Sequence, residues 1–102
     1  MNKLNSHQRK YLKSRAHHLD PVLIIGRSGI SDGTIESLSK ALKAKELIKV
    51  KFSDFKSEKK QLSNNIEKLT KSHLVSIIGN IAIFFRQNQD PSKQIYKISN
   101  TK

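Results

Sequence analysis

The chain contains no cysteine, which excludes disulfides, thiolate metal sites and a cysteine nucleophile together. It is poor in acid: 8 Asp plus Glu stand against 20 Lys plus Arg, leaving +12 at neutral pH. Long apolar runs are also missing. The longest, VLII at Val22 to Ile25 and IAIFF at Ile81 to Phe85, fall far below the ~20 residues of a membrane span. The opening MNKLNSHQRK lacks the apolar segment of a secretory signal, so a cytoplasmic protein is expected. Aromatics are scarce at 6%, and Tyr11, Phe52, Phe55, Phe84, Phe85 and Tyr96 mostly fit core positions. Base stacking is therefore not expected to be the main source of any nucleic-acid affinity.

What is present is a globular composition. The 102 residues are 35% hydrophobic and 27% charged, enough for one domain with a modest core and too apolar for a disordered chain. A compact body with this cationic excess repels itself, and a polyanionic partner offsets that cost. RNA, DNA and anionic membrane all meet the description.

Hydrophobic spacing predicts the element order αβαβαββ. Ser6 is the expected cap of a first helix reaching about His18, with Tyr11, Leu12, Ala16 and Leu19 on its apolar side and Leu4 as a staple. Arg9, Lys10, Lys13 and Arg15 are assigned to its other face, with His17 and His18 at its end. Asp20-Pro21 stops the helix. VLIIG then reads as a strand covered on both faces. Ser31, followed by Asp32, caps a second helix with Ile35, Leu38, Ala41 and Leu42 inward. LIKVKF, Leu47 to Phe52, alternates: Ile48, Val50 and Phe52 point one way, Lys49 and Lys51 the other. Leu62, Ile66 and Leu69 mark a third helix over about residues 56–71. VSIIGNIAIFFR is a hairpin about Gly79-Asn80. Residues 1–88 thus form one domain, and residues 89–102 a C-terminal tail or edge strand. Parallel crossovers followed by a hairpin give a mixed four-stranded sheet with helices two and three on one face.

Between the first strand and the second helix lies Gly26-Arg27-Ser28-Gly29. A helix start presents unpaired N–H groups and partial positive charge, glycines admit a close backbone approach, and Arg27 and Ser28 can contact phosphate or ribose oxygens. A GXXG loop that clamps a nucleic-acid backbone is the device of the KH module. The same residues also suit a plain strand-to-helix turn with positive φ at both glycines. Neither G-x-G-x-x-G nor a P-loop occurs, so ATP and NAD are not expected.

Three stretches together resemble the CRM domain family (chloroplast RNA splicing and ribosome maturation), especially its stand-alone bacterial YhbY-like members: QRKYLKSRAHHLDPVLIIGRSGIS, LSKALKAKELIKVKF and VSIIGNIAIFFR. The resemblance spans nearly the whole chain. It implies an α/β fold similar to the C-terminal domain of translation initiation factor three, and RNA binding through the GXXG loop, here Gly26, Arg27, Ser28 and Gly29. It further implies association with precursors of the large ribosomal subunit as an assembly factor. Arg86 matches the family's closing arginine, in either a structural or an RNA-contacting role.

Catalysis is not expected. His7, His17, His18 and His73 form no metal spacing, the carboxylates are scattered, and Ser28 has no base fixed beside it. No metal or cofactor is expected. The first helix has too few free apolar residues to insert into a membrane, and no helix carries a DNA-reading cluster. The expected partner is ribosomal RNA or a large-subunit precursor particle, bound by a monomer. Gly26, Arg27, Ser28, Gly29, Arg9, Lys10, Lys13, Arg15, Lys49 and Lys51 are the expected contacts, positioning more than specifying. The alternative is a general nucleic-acid-binding or stress-linked factor on mature ribosomes or other structured RNA.

Overall fold

The computed structural model describes residues 3–98 and has the expected element order. Helices α1 (Ser6–Ala16), α2 (Asp32–Lys45) and α3 (Lys59–Thr70) alternate with strands β1 (Pro21–Ile25), β2 (Leu47–Phe52), β3 (His73–Ile78) and β4 (Ile81–Phe85). The sheet order is β1-β2-β4-β3. Strand β1 runs parallel to β2, whereas β4 is antiparallel to both β2 and β3. The closing hairpin has thus inserted its second strand into the middle of a mixed sheet.

Period-two alternation sends side chains into two separate cores. Ile48, Val50 and Phe52 of β2 join Ala82 and Phe84 of β4 beneath Leu38 and Leu42 of α2 and Ile66 of α3. On the opposite face, Leu47, Ile83, Phe85 and Val75 meet Leu12 and Ala16 of α1. Helices two and three therefore share a face, as the crossover argument requires, and α1 lies alone across the other.

Several local expectations are corrected. The cap of α1 is Asn5, not Ser6. Asn5 accepts the Gln8 N–H at 2.8 Å and Gln8 Oε1 accepts the Asn5 N–H at 2.9 Å, a reciprocal box that Arg9 could not close for Ser6. Helix α1 ends at Ala16, and residues 56–58 form a separate 3-10 turn ahead of α3. Leu69 is exposed, while Ser63 and Thr70 face inward. Strand β1 lies at the sheet edge and is not covered on both faces, since Ile24 is 61% exposed.

Residues 93–98 form no strand; the ordered tail docks on Glu46 instead. That buried carboxylate accepts the N–H groups of Asn88, Ile95 and Tyr96 at 2.5, 2.8 and 2.9 Å. Tyr96 and Ile98 then pack on the α1-side core. Residues 99–102 of the expected tail lie outside the described residues. Among the described residues, no helix is long and apolar enough to cross a membrane.

Candidate functional site

The loop at residues 26–29 leaves the sheet from a fixed point. The Ile25 carbonyl accepts the N–H groups of Ser53 and Asp54, at 3.0 and 3.2 Å, and the Ser53 hydroxyl at 3.0 Å. The Gly29 N–H then donates to the Gly26 carbonyl at 3.0 Å, closing a turn. On the return, Ile30 packs on the core and Ser31 caps α2, accepting the Thr34 N–H at 3.2 Å. Both ends are anchored, so Arg27 and Ser28 project from a braced tip. They are exposed, and no hydrogen bond or ion pair engages their side chains among the described residues. Positive φ is confined to Gly29, at 69°; Gly26 does not need it, which corrects the two-position expectation.

The sheet beside this loop is half open. Helix α1 covers the end that carries Leu47, Phe85 and Val75. The opposite end, next to Gly26, presents one row across all four strands: Ile24 pairs with Lys51, Lys51 with Ile81, and Ile81 with Ile78. Ile24 and Ile78 are 61% and 53% exposed. The four apolar residues of VLII could not reveal this, because continuous hydrophobicity carries no information about which face is covered.

The basic residues divide into three groups. Lys10 and Lys13 wall a shallow groove between α1 and β3 with Ser14, His17 and Ile78, so they stand beside the open face that Lys51 shares. Arg9 lines the same groove, but its Nη1 donates to the Leu74 and Val75 carbonyls at 2.8 and 2.9 Å, riveting α1 to β3 where the strand register shifts. Lys49 reaches the His17 carbonyl at 3.4 Å, at the end of α1. Arg15 lies over the Tyr11 ring at 5.4 Å. At about 100° per residue it occupies the flank of α1 away from Lys13. The loop, Lys51, Lys10 and Lys13 are thus brought to one side, whereas Arg15 is not.

Arg86 is structural. Its Nη1 donates to the Ser39 hydroxyl and the Thr70 carbonyl at 3.1 and 2.8 Å, and Nη2 to the Ser39 carbonyl at 2.8 Å. It ties α2 to the end of α3. Among the described residues, no group of three or more His, Asp or Glu could hold a metal ion.

One residue at the site escaped the sequence reading. Phe55 is 40% exposed, and its ring lies over Gly29: a Cβ built on that glycine would meet Phe55 Cε2 at 3.4 Å. Its backbone is left-handed, with φ 57° and ψ 37°. That geometry costs a non-glycine residue about 1–2 kcal/mol. A signal was available, since Phe55 is a lone aromatic in the polar stretch SDFKSE, beyond the alternation that ends at Phe52.

The family model of the CRS1 / YhbY (CRM) domain matches residues 4–86. The "RNA-binding protein" of Haemophilus influenzae is 38% identical over 96 residues, covering 93% of this chain and 97% of that one. "Probable RNA-binding protein PA4753" of Pseudomonas aeruginosa is 37% identical over 97 residues, covering 94% and 93%. The solution structure of SAV1595 from Staphylococcus aureus, described as a proposed RNA binder, superposes with a TM-score of 0.75 at 33% identity. That match covers 89% of this chain and 96% of SAV1595.

Proposed function

The chain belongs to the CRS1 / YhbY (CRM) domain family, and from that membership we propose that it binds RNA, docking on ribosomal RNA in precursors of the large ribosomal subunit as an assembly factor. It acts by binding, without chemistry of its own, as a monomer in the cytoplasm. The observation that carries this reading is the braced Gly26-Arg27-Ser28-Gly29 tip, whose only two side chains are exposed and unengaged among the described residues. Arg27 pairs with a phosphate and Ser28 hydrogen-bonds beside it. Lys51, Lys10 and Lys13 extend the footprint over the open half of the sheet. Arg9 and Lys49 serve mainly to hold α1 in place, and Arg15 contributes only to the general field.

Co-sedimentation with ribosomal particles from lysate tests the proposal, with Arg27→Glu as the paired variant. The expected outcome is that the wild-type chain migrates with large-subunit precursors while the folded variant stays at the top of the gradient. Equal migration of both would remove the loop from the interface. Association with mature ribosomes alone would point instead to a factor acting after assembly.

A further inference from the structure

We propose that Phe55 is a stacking platform for an unpaired nucleobase, so that the loop and the ring together take a single-stranded or looped-out nucleotide. The inference rests on the reading of residues 26–29 as the RNA clamp and deepens it by naming what lies beside the clamped phosphate.

Phe52 and Phe84 fill the core beneath α2 and α3, and Phe85 the core beneath α1. Tyr11 and Tyr96 pack against the latter, Tyr96 also edge-on to Phe85 at 6.5 Å between ring centroids. Of the six aromatics, Phe55 alone belongs to neither cluster. An exposed phenyl ring gains little from water, yet this one is held on a short, stiff segment. Ser53 and Asp54 are bonded to the Ile25 carbonyl, and the Phe55 carbonyl accepts the Glu58 N–H at 3.0 Å. Asparagine or glycine would adopt the left-handed backbone at lower cost, so local conformation does not account for phenylalanine here.

Position supplies the missing reason. The ring stands where a side chain on Gly29, the last residue of the loop, would meet it. A nucleotide whose phosphate sits at Arg27 and Ser28 therefore has its base within reach of the ring. Lys56 follows Phe55 directly, but Asp54 precedes it and Glu58 lies three residues on, so the attraction for a polyanion comes from Arg27 and the chain's overall excess of +12 and not from this stretch. A base can lie on the ring only when its face is free, which base-paired RNA does not offer. The arrangement thus selects unpaired nucleotides at this point while remaining tolerant of base identity, because every base has a π-face.

The chain contains no tryptophan, so Phe55→Trp places a single indole at the site. Titration of that variant with a short single-stranded RNA of mixed sequence should quench the indole emission, and the quenching should saturate together with binding measured independently. The matching duplex should produce no quenching. Phe55→Ala should bind the single strand about tenfold or more weaker, with duplex binding unchanged. Phe55→Asn, suited to the left-handed backbone, removes the ring while preserving the fold and should show the same loss. Wild-type affinity of Phe55→Ala and Phe55→Asn for the single strand, or an indole indifferent to saturating RNA, overturns the platform. Arg27→Glu separates the two layers: if it loses binding while the Phe55 variants keep theirs, the clamp stands and the platform falls. If Arg27→Glu binds normally, the clamp reading fails as well.

Discussion

Gly29 has φ 69°, whereas Gly26 lies outside the left-handed region, where an added Cβ would meet only Ser53 Oγ at 3.9 Å. The two glycines of one loop therefore separate folding from binding. Gly29→Ala should cost about 1–2 kcal/mol of stability, read as a lowered urea midpoint. Gly26→Ala should leave that midpoint essentially unchanged and weaken RNA binding, because its added methyl impedes close approach of a phosphate to the backbone. Unchanged affinity in a normally folded Gly26→Ala would show that the close approach is not used. The loop and the Ser31 cap were legible because glycine spacing and a serine ahead of an apolar stripe have local causes. Arg9 was not. A cation on a helix reads the same whether it meets a phosphate or, as here, two carbonyls of a neighbouring strand. Phe55 was missed because alternation ends with β2, and nothing local says which way the next aromatic turns. The Asn5 cap was misplaced by one residue, since Ser6 is itself a good capping residue and only Gln8 distinguishes the two.

Between elements, α1, α3 and β3 converge on His73, the first residue of β3. Burial lowers its pKa from the ordinary histidine value; Glu67 of α3 opposes that shift and Arg9 of α1 reinforces it. The unfolded chain therefore binds the His73 proton more tightly than the native one. The stabilising contribution is complete above about pH 6.5 and is lost as pH falls through the depressed native value. His73→Gln should accordingly flatten the fall of the urea midpoint between neutral and mildly acidic pH. A variant whose midpoint tracks the wild type across that range would show that another group carries the dependence. Element order, the parallel β1–β2 pair and the hairpin were all readable from spacing. The placement of α1 was not, because a helix ahead of the first strand has no crossover rule to fix its face. Coverage of β1 failed for the same reason: α1 shelters only the far half of the sheet, and Ile24 is left outside. Helix α3 departs from its apolar spacing because Ser63 and Thr70 take inward positions, the Ser63 hydroxyl with no hydrogen-bond partner among the described residues and Thr70 with two. Thr70 donates to the Ile66 carbonyl at 2.7 Å and pairs with the Ser72 hydroxyl at 2.7 Å.

Across the whole molecule, the +12 charge was plain in the composition, but its distribution depends on the fold. Lys40 and Glu36 form an exposed ion pair at 3.4 Å, which leaves most of the cationic excess to act on a partner. At the loop end stand Arg27, Lys51, Lys10 and Lys13. At the other end, Lys3, Lys43, Lys71 and Lys93 line a cleft between the start of α1, the end of α2 and the docked tail. These two surfaces make distinct contributions to a salt titration, since each phosphate neutralised adds about −0.7 to −0.9 to the slope of log affinity against log salt. A footprint that engages Arg27, Lys51, Lys10 and Lys13 gives a slope of about −3. Arg27→Glu should make that slope shallower by about 1, while Lys43→Gln and Lys71→Gln should leave it unchanged. A wild-type slope near zero would reduce the charge to a matter of solubility. A slope of about −6, lowered by the Lys43 and Lys71 variants, would mean that RNA wraps from the loop round to the far cleft. The interface would then be the circumference of the domain and not one side of its sheet.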